Sequence, residues 1–319
     1  MSYRTAAAQT QAMPISHRLL AVSVAAMWGL NFIAIDASLG QFPPFLLVAL
    51  RFAIIAVPTL LLVPRPRVPV RWLLGYGIGF GTLQFLFLYW GMAVGMPTGL
   101  ASLVLQSSAP FTVLLGAVAF RDRVPARQLV GLGVATLGLA VVGWSQAQAA
   151  AFAPFLLVLA GGFGWAIGNV SNARARAANP LHLTLWMSVV PPVPMFALSL
   201  AVEGPDAIAA AFVPGPHMVS ALVGLAYTVL IGTLVGSGIW TWLMARHPAG
   251  VVAPFSMLVP VVGLSASAVL LGEDIEAATA LGAALVIGGV LWGALRKANA
   301  PTPVGAEGPP ASTRERVGS

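Results

Sequence analysis

Long hydrophobic runs alternate with short polar turns along almost the whole chain. The runs cover about 17–37, 44–63, 72–93, 97–120, 126–144, 153–173, 180–202, 217–243, 249–271 and 277–295. Each is roughly 17 to 25 residues long, the length that an α-helix needs to cross the hydrocarbon core of a bilayer. The pattern therefore predicts an all-α membrane protein with ten transmembrane helices.

Composition agrees with a protein that is surrounded by lipid. Hydrophobic residues make up 58% of the chain and charged residues only 8%, too few to cover a soluble domain of this length. The net charge of +7 does not point to nucleic acid, because the basic residues lie in turns between apolar runs rather than on one face. Cysteine is absent, which excludes disulfides and thiolate chemistry.

The distribution of positive charge predicts the orientation of the chain in its membrane. Basic turns collect on one side, which the positive-inside rule assigns to the cytoplasm. The residues on that side are Arg4, Arg18, Arg65, Arg67, Arg71, Arg121, Arg123, Arg127, Arg174, Arg176, Arg246, Arg296, Lys297, Arg314 and Arg316. The turns on the other side contain Asp36, Glu203, Asp206, Glu273, Asp274 and Glu276. We therefore expect a multi-pass membrane protein with both termini in the cytoplasm.

A partial internal repeat divides the chain into two halves. Residues 97–127 consist of an apolar run with a proline, a charged turn and a second apolar run, and 254–283 repeat this order. We expect a polar lead (1–16), a first repeat (17–144), a second repeat (153–296) and a disordered tail (297–319).

The turns of the two copies carry opposite charge: RDRVPAR is basic and GEDIEAA is acidic. Five spans per half is an odd number, so the second half should enter the membrane upside down. Inverted repeats are a common transporter construction, with the substrate site between the halves. Pro110 and Pro260, inside the repeated runs, are predicted to kink their helices.

Several motifs carry a resemblance to a known family. They are WGLNF (28–32), ALRF (49–52), GMPTGLASLVLQ (95–106), GWAIGNV (164–170) and VVAPFSMLVPVVGLSASAVLLGE (251–273). In this order they resemble the EamA-type branch of the drug/metabolite transporter superfamily, over about residues 19–296. The resemblance implies an alternating-access exporter of the bacterial inner membrane whose cargo is small amino-acid metabolites such as O-acetylserine and cysteine. Arg121-Asp122-Arg123 departs from the Gly-Glu-Arg that is usual at this turn of the family.

Arg51 lies about seven residues into the second span from its outer end, and it is the one basic residue that is not at or near the end of a span. A charge within the membrane is by default a functional candidate, and the planar guanidinium suits a substrate carboxylate. The alternatives are that Arg51 reaches outward to the interface or pairs with Asp36 at the end of the first span.

Other polar and aromatic residues inside the spans are candidates for a central cavity. Asn31 and Asn169 lie about one turn after Trp28 and Trp165, at matching places in the two halves. Their amides suit an amino acid's ammonium and carboxylate groups, although such amides also join helices. The complete candidate set is Trp28, Asn31, Arg51, Gln84, Gln106, Ser107, Trp165 and Asn169.

Five aromatic residues at or near span ends are predicted to anchor the chain at the membrane interface instead: Tyr89, Trp90, Tyr227, Trp240 and Trp242.

No pattern of residues suggests catalysis, and we expect neither a cofactor nor a metal. The four histidines fall near span ends without metal-ligand spacing, and there is no Walker motif for ATP. Facilitated efflux and coupling through an unidentified site both stay open. We expect a monomer. The alternatives are an exporter of other amino acids, nucleobases or drugs and, from another class, a membrane-embedded enzyme or sensor.

Overall fold

The computed structural model describes residues 13–120, 124–148, 152–247 and 249–294, where every regular element is a helix. Nine helices in these ranges are long and apolar enough to cross a membrane. They are α1 (Ile15–Leu39), α2 (Pro44–Leu62), α3 (Val70–Ala93), α4 (Thr98–Phe120), α5 (Ala126–Gln148), α6 (Phe152–Ala175), α7 (Pro180–Val202), α8 (Met218–Arg246) and α9 (Ala253–Leu270). The apolar helix α10 (Ala277–Ala294) follows, and the short helix Gly204–Ala211 lies between α7 and α8.

The prediction of an all-α membrane protein is confirmed for the described residues. Nine of the ten predicted runs correspond to helices of spanning length, and the tenth corresponds to the shorter α10. The expectations for residues 1–12, for the turn 121–123 and for the tail 297–319 lie outside the described residues.

Prolines and glycines set where several helices begin and end. Pro44 and Pro180 are the first residues of α2 and α7, where the missing N–H would have no partner within the helix. The side chain of Asn179 caps α7 by accepting two backbone N–H groups. Gly95 and Gly272 follow α3 and α9 with φ of 105° and 70°, a conformation that glycine adopts without strain.

Two of the long helices contain a π-helical segment. In α3 it covers Gly77–Gln84, and in α8 it covers Tyr227–Val235. Each segment contains a threonine whose hydroxyl donates to the carbonyl five residues earlier: Thr82 to Gly77 at 3.2 Å and Thr233 to Thr228 at 2.9 Å. Single π-helical turns within α-helices are frequent at functional sites.

Two further helices contain a 3₁₀ turn shortly before a proline. The turn covers Leu105–Ser107 in α4 and Ala253–Met257 in α9, and Pro110 and Pro260 follow at the start of regular α-helix. A proline has no N–H for the carbonyl four residues earlier, and its ring collides with that carbonyl. The local backbone therefore departs from α-helix where the two prolines predicted a kink.

Each half packs against the other through its first helix. Helix α1 packs on α8 and α9, whereas α6 packs on α3 and α4. Large apolar side chains face outward, for example Leu61 and Val269, which are 77% and 82% exposed. Such outward-facing apolar surface is what a lipid environment requires.

Helices α5 and α10 form a separate close pair. Glycines let their backbones approach: a Cβ added at Gly138 would lie 2.8 Å from the carbonyl oxygen of Gly282.

Candidate functional site

A central cavity of about 630 Å³ lies among helices α1–α4 and α6–α9. Its walls are mainly aromatic and aliphatic side chains, with amides and hydroxyls between them. Arg51 is the one charged residue among those that line it in the described part of the chain. A mostly apolar concave site with a few convergent polar groups is typical of small-molecule binding.

Seven of the eight candidates lie on this cavity. They are Trp28, Asn31, Arg51, Gln84, Gln106, Trp165 and Asn169. Arg51, Gln84 and Gln106 are at most 5% exposed, so the cavity reaches groups that are deeply buried in the protein.

Ser107 is the exception, and the structure places it between two helices. Its side chain is fully buried, and its hydroxyl has no hydrogen-bond partner among the described residues. The hydroxyl lies against Gly162 of α6, where an added Cβ would overlap it. Within the 3₁₀ turn, Gln106 lines the cavity and Ser107 contacts α6. Ser108, the first residue after the turn, lines the cavity again.

The Arg51 guanidinium is fixed by neutral partners from both halves of the chain. Its Nη1 donates to the Tyr89 hydroxyl at 2.8 Å, and its Nη2 donates to the Thr233 hydroxyl at 3.0 Å. The Phe85 ring lies 4.0 Å from the guanidinium carbon. Asp36 is not among these partners; its carboxylate accepts from the Thr98 hydroxyl at 3.2 Å. Arg51 is 5% exposed, so it does not reach outward to the interface either.

Trp28 and Asn31 contact the π-helical segment of α8. The Trp28 indole donates to the Gly232 carbonyl at 2.9 Å, and its ring lies 5.2 Å from that of Trp240. The Asn31 side chain packs where Gly232 has no Cβ, and its Oδ1 is buried without a partner among the described residues. Asn31 therefore belongs to the cavity wall and has a buried acceptor without a described partner.

Two other amides in the cavity wall connect neighbouring helices. Asn169 donates from Nδ2 to the Thr112 hydroxyl at 3.0 Å, which joins α6 to α4. Gln106 donates from Nε2 to the Ser256 carbonyl at 3.4 Å, which joins α4 to α9. Both residues combine an interhelical contact with a place on the cavity.

Sequence reasoning missed three residues of the site. Tyr89 and Trp240 were expected at the membrane interface, but Tyr89 is 1% exposed beside Arg51 and Trp240 lines the cavity. Thr233 belongs to none of the motifs or candidate residues named from the sequence. A signal for it exists, since the tripeptide Gly-Thr-Leu occurs at 81–83 and again at 232–234, at corresponding places in the two halves.

The cavity opens at the end of the protein that contains the basic turns. Pro180 and Met244 belong to its lining and are exposed, and Arg174, Arg176 and Arg246 lie close to them in sequence. A solute can therefore reach the buried polar groups from this end.

The opposite end is closed by two carboxylates of the second half that cap helices of the first. Glu273 accepts from the backbone N–H of Thr98 at 2.6 Å and of Gly99 at 2.9 Å, at the start of α4. Glu203 accepts from the N–H of Phe45 at 2.6 Å and of Leu46 at 3.1 Å, near the start of α2. A carboxylate at a helix N-terminus is favoured by the helix dipole and makes charge-assisted hydrogen bonds.

Comparison with family models gives one match over most of the chain. The model described as the EamA-like transporter family matches residues 16–144 and again residues 153–293.

Curated relatives of similar length carry transporter names. A protein of Salmonella typhimurium named "Probable amino-acid metabolite efflux pump" is 40% identical over 277 residues, which is 85% of this chain and 92% of that protein. A protein of Escherichia coli with the same name is 39% identical over 278 residues, with the same coverage. A "Probable terminal-alkyne amino-acid exporter" of Streptantibioticus cattleyicolor is 30% identical over 72% of this chain and 74% of its own.

A solved crystal structure shares the fold. It superposes with a TM-score of 0.58 at 20% sequence identity, over 87% of this chain and 96% of that chain.

Proposed function

Because the chain belongs to the EamA-like transporter family, we propose that it exports small amino-acid metabolites of the O-acetylserine and cysteine type. Transport is by alternating access across a bacterial inner membrane. The observation that carries the proposal is the central cavity, which combines apolar walls, amides and one cation in a volume of about 630 Å³. The names of the Salmonella and Escherichia relatives support the same class of cargo.

We propose further that ten spans form two inverted repeats, 17–144 and 153–296. Three observations support this arrangement. The family model matches twice, once in each half. The π-helical segments of α3 and α8 occupy corresponding places, and so do the 3₁₀ turns of α4 and α9. The reciprocal packing of α1 and α6 is what an in-plane two-fold axis would produce.

The cytoplasmic position of both termini rests on the positive-inside rule. In that orientation the cavity opens to the cytoplasm and the carboxylate caps of Glu203 and Glu273 close the outside. The structure then corresponds to the state that loads cargo.

Within this site, Trp28, Asn31, Gln84, Gln106, Trp165 and Asn169 line the path of the cargo. The bends before Pro110 and Pro260 let the two halves rock about the cavity. Ser107 contributes to the contact between α4 and α6 instead.

The decisive experiment is release of labelled O-acetylserine and cysteine from proteoliposomes that contain the purified protein, with and without an imposed pH gradient. Saturable release that does not depend on the gradient is expected for facilitated export. Release that follows the gradient would reveal a proton site and still support export of these metabolites. Release no faster than from protein-free liposomes would overturn the assignment of cargo.

A further inference from the structure

Arg51 is a buried cation with no carboxylate beside it in the part of the chain that the structure describes. It is 5% exposed, and the described cavity wall around it contains no aspartate or glutamate. A charged side chain is costly to bury unless an opposite charge or a full set of hydrogen bonds compensates it. The partners that the protein supplies to Arg51 are all neutral.

These neutral partners fix the guanidinium without satisfying it. Tyr89 and Thr233 each accept one N–H, and the Phe85 ring covers one face at 4.0 Å. A guanidinium has five N–H donors, and Nε is without a partner among the described residues. The group is therefore held in position with unused donors and an uncompensated charge.

Two residues of the same cavity wall each have a buried amide oxygen without a described partner. These oxygens are Oδ1 of Asn31 and Oε1 of Gln84. An α-amino acid carries a carboxylate and an ammonium group, which match the cation and the amide oxygens respectively.

We propose that Arg51 binds the α-carboxylate of the cargo, so that the cavity selects molecules with a free carboxylate over their esters and amines. The inference rests on the proposed function and names the chemical class that the cavity takes. The carboxylate supplies the counter-charge that Arg51 lacks, and the ammonium group lies along the cavity wall that contains Asn31 and Gln84.

A ligand bound at Arg51 touches a contact between the two halves of the chain. Arg51 belongs to α2 of the first half, and Thr233 belongs to the π-helical segment of α8 in the second half. A carboxylate at Arg51 therefore sits at a hydrogen bond that joins the halves, where a ligand can favour one arrangement of the halves over the other.

The test compares each amino acid with its own methyl ester on the purified, detergent-solubilised protein. Cysteine, O-acetylserine and phenylalanine are used as acid and ester pairs. Binding is compared through the concentration of each ligand that gives the same rise in the thermal unfolding midpoint of the protein. We expect each ester to need a concentration at least tenfold higher than its acid, because charge-assisted hydrogen bonds to one group are lost. Esters that bind as well as the acids, or acids that do not bind, would overturn the inference.

A variant then assigns the selectivity to Arg51. In Arg51→Gln the ratio of the required ester concentration to the required acid concentration should fall to about one. Arg51→Lys should keep a ratio between one and that of the unaltered protein. A purely structural role for Arg51 would lower stability or activity and leave the ratio unchanged. Tyr89→Phe is the second variant if Arg51→Gln does not fold. It keeps the ring but removes one partner of the guanidinium, and its ratio should fall several-fold; an unchanged ratio would count against the inference.

The two proposals fail separately. If the acids bind better than the esters but no metabolite is released from proteoliposomes, the carboxylate site stands and the export assignment falls. If cysteine is released from proteoliposomes but its methyl ester binds as well as cysteine does, the export assignment stands and the role of Arg51 falls.

Discussion

At the scale of single residues, Asn31 combines a contact with the backbone of α8 and a place on the cavity wall. The side chain packs against Gly232, and its Oδ1 has no partner among the described residues. A buried acceptor without a partner is costly, and a bound donor removes that cost.

We expect Asn31→Ala to reduce the rate of cysteine release from proteoliposomes by about tenfold, the loss that one hydrogen bond to a charged group implies. The folded protein should still be recovered from the membrane in normal amount. Ser23→Ala is the matched control on the same helix, because Ser23 is exposed and its hydroxyl donates only to the Leu19 carbonyl. Equal release by Asn31→Ala and the control would remove Asn31 from the site.

At the scale of helices, each π-helical segment contains one threonine whose hydroxyl bonds to a backbone carbonyl of the same helix. Thr82 in α3 and Thr233 in α8 donate to the carbonyl five residues earlier. Since both segments also line the cavity, through Gln84 and Gly232, the local geometry of the helix fixes where cavity groups point.

Thr82→Val should destabilise the protein by about 1 to 3 kcal/mol, because the hydroxyl that bonds to the Gly77 carbonyl is lost while the residue keeps its shape. Thr82→Ser retains the hydroxyl and should cost clearly less. The measurement is thermal or denaturant unfolding of both variants in detergent. Identical stabilities would show that the hydroxyl does not hold the segment.

The close pair formed by α5 and α10 gives a second test at this scale. Gly138→Ala places a Cβ 2.8 Å from the carbonyl oxygen of Gly282 and should destabilise the protein by about 1 to 3 kcal/mol. Gly133→Ala on the same helix meets no described atom within 4 Å and should change stability by less than about 1 kcal/mol. Two variants of equal stability, compared by unfolding in detergent, would contradict this packing.

At the scale of the whole molecule, carboxylates of the second half close one end of the cavity. Glu203 caps α2 and Glu273 caps α4. Opening that end requires these hydrogen bonds to break, so their strength enters the balance between the two states of the transporter.

Glu273→Ala should shift the protein towards the state that is open at the acidic end, by tenfold or more in population, since two charge-assisted hydrogen bonds are lost. The chain has no cysteine, so Ile35→Cys on the cavity wall provides a single reporter. A membrane-impermeant thiol reagent added outside cells should label it faster when Glu273→Ala is also present. The exposed neighbour Asp274→Ala is the control and should leave the labelling rate unchanged.

Much of the candidate site was predictable from residue types alone. A polar or charged side chain within an apolar run must find a cavity or a partner, and Asn31, Arg51, Gln84 and Gln106 do line one cavity. Ser107 lies away from this cavity, against Gly162. A 3₁₀ turn has three residues per turn rather than 3.6, so the direction of this side chain depends on a local backbone change. Tyr89 and Trp240 failed because distance from a span end does not report which face of a helix is buried.

The sequence by itself determined that the chain is helical and membrane-embedded, because runs of apolar residues in lipid must satisfy their backbone groups within one helix. It also determined the family, through motifs spread over the whole length. Only the tertiary structure decided which partners Arg51 has, which end of the cavity is open and which carboxylates close the other end. Those properties depend on contacts between residues as far as 182 positions apart, and composition and spacing along one chain do not contain them.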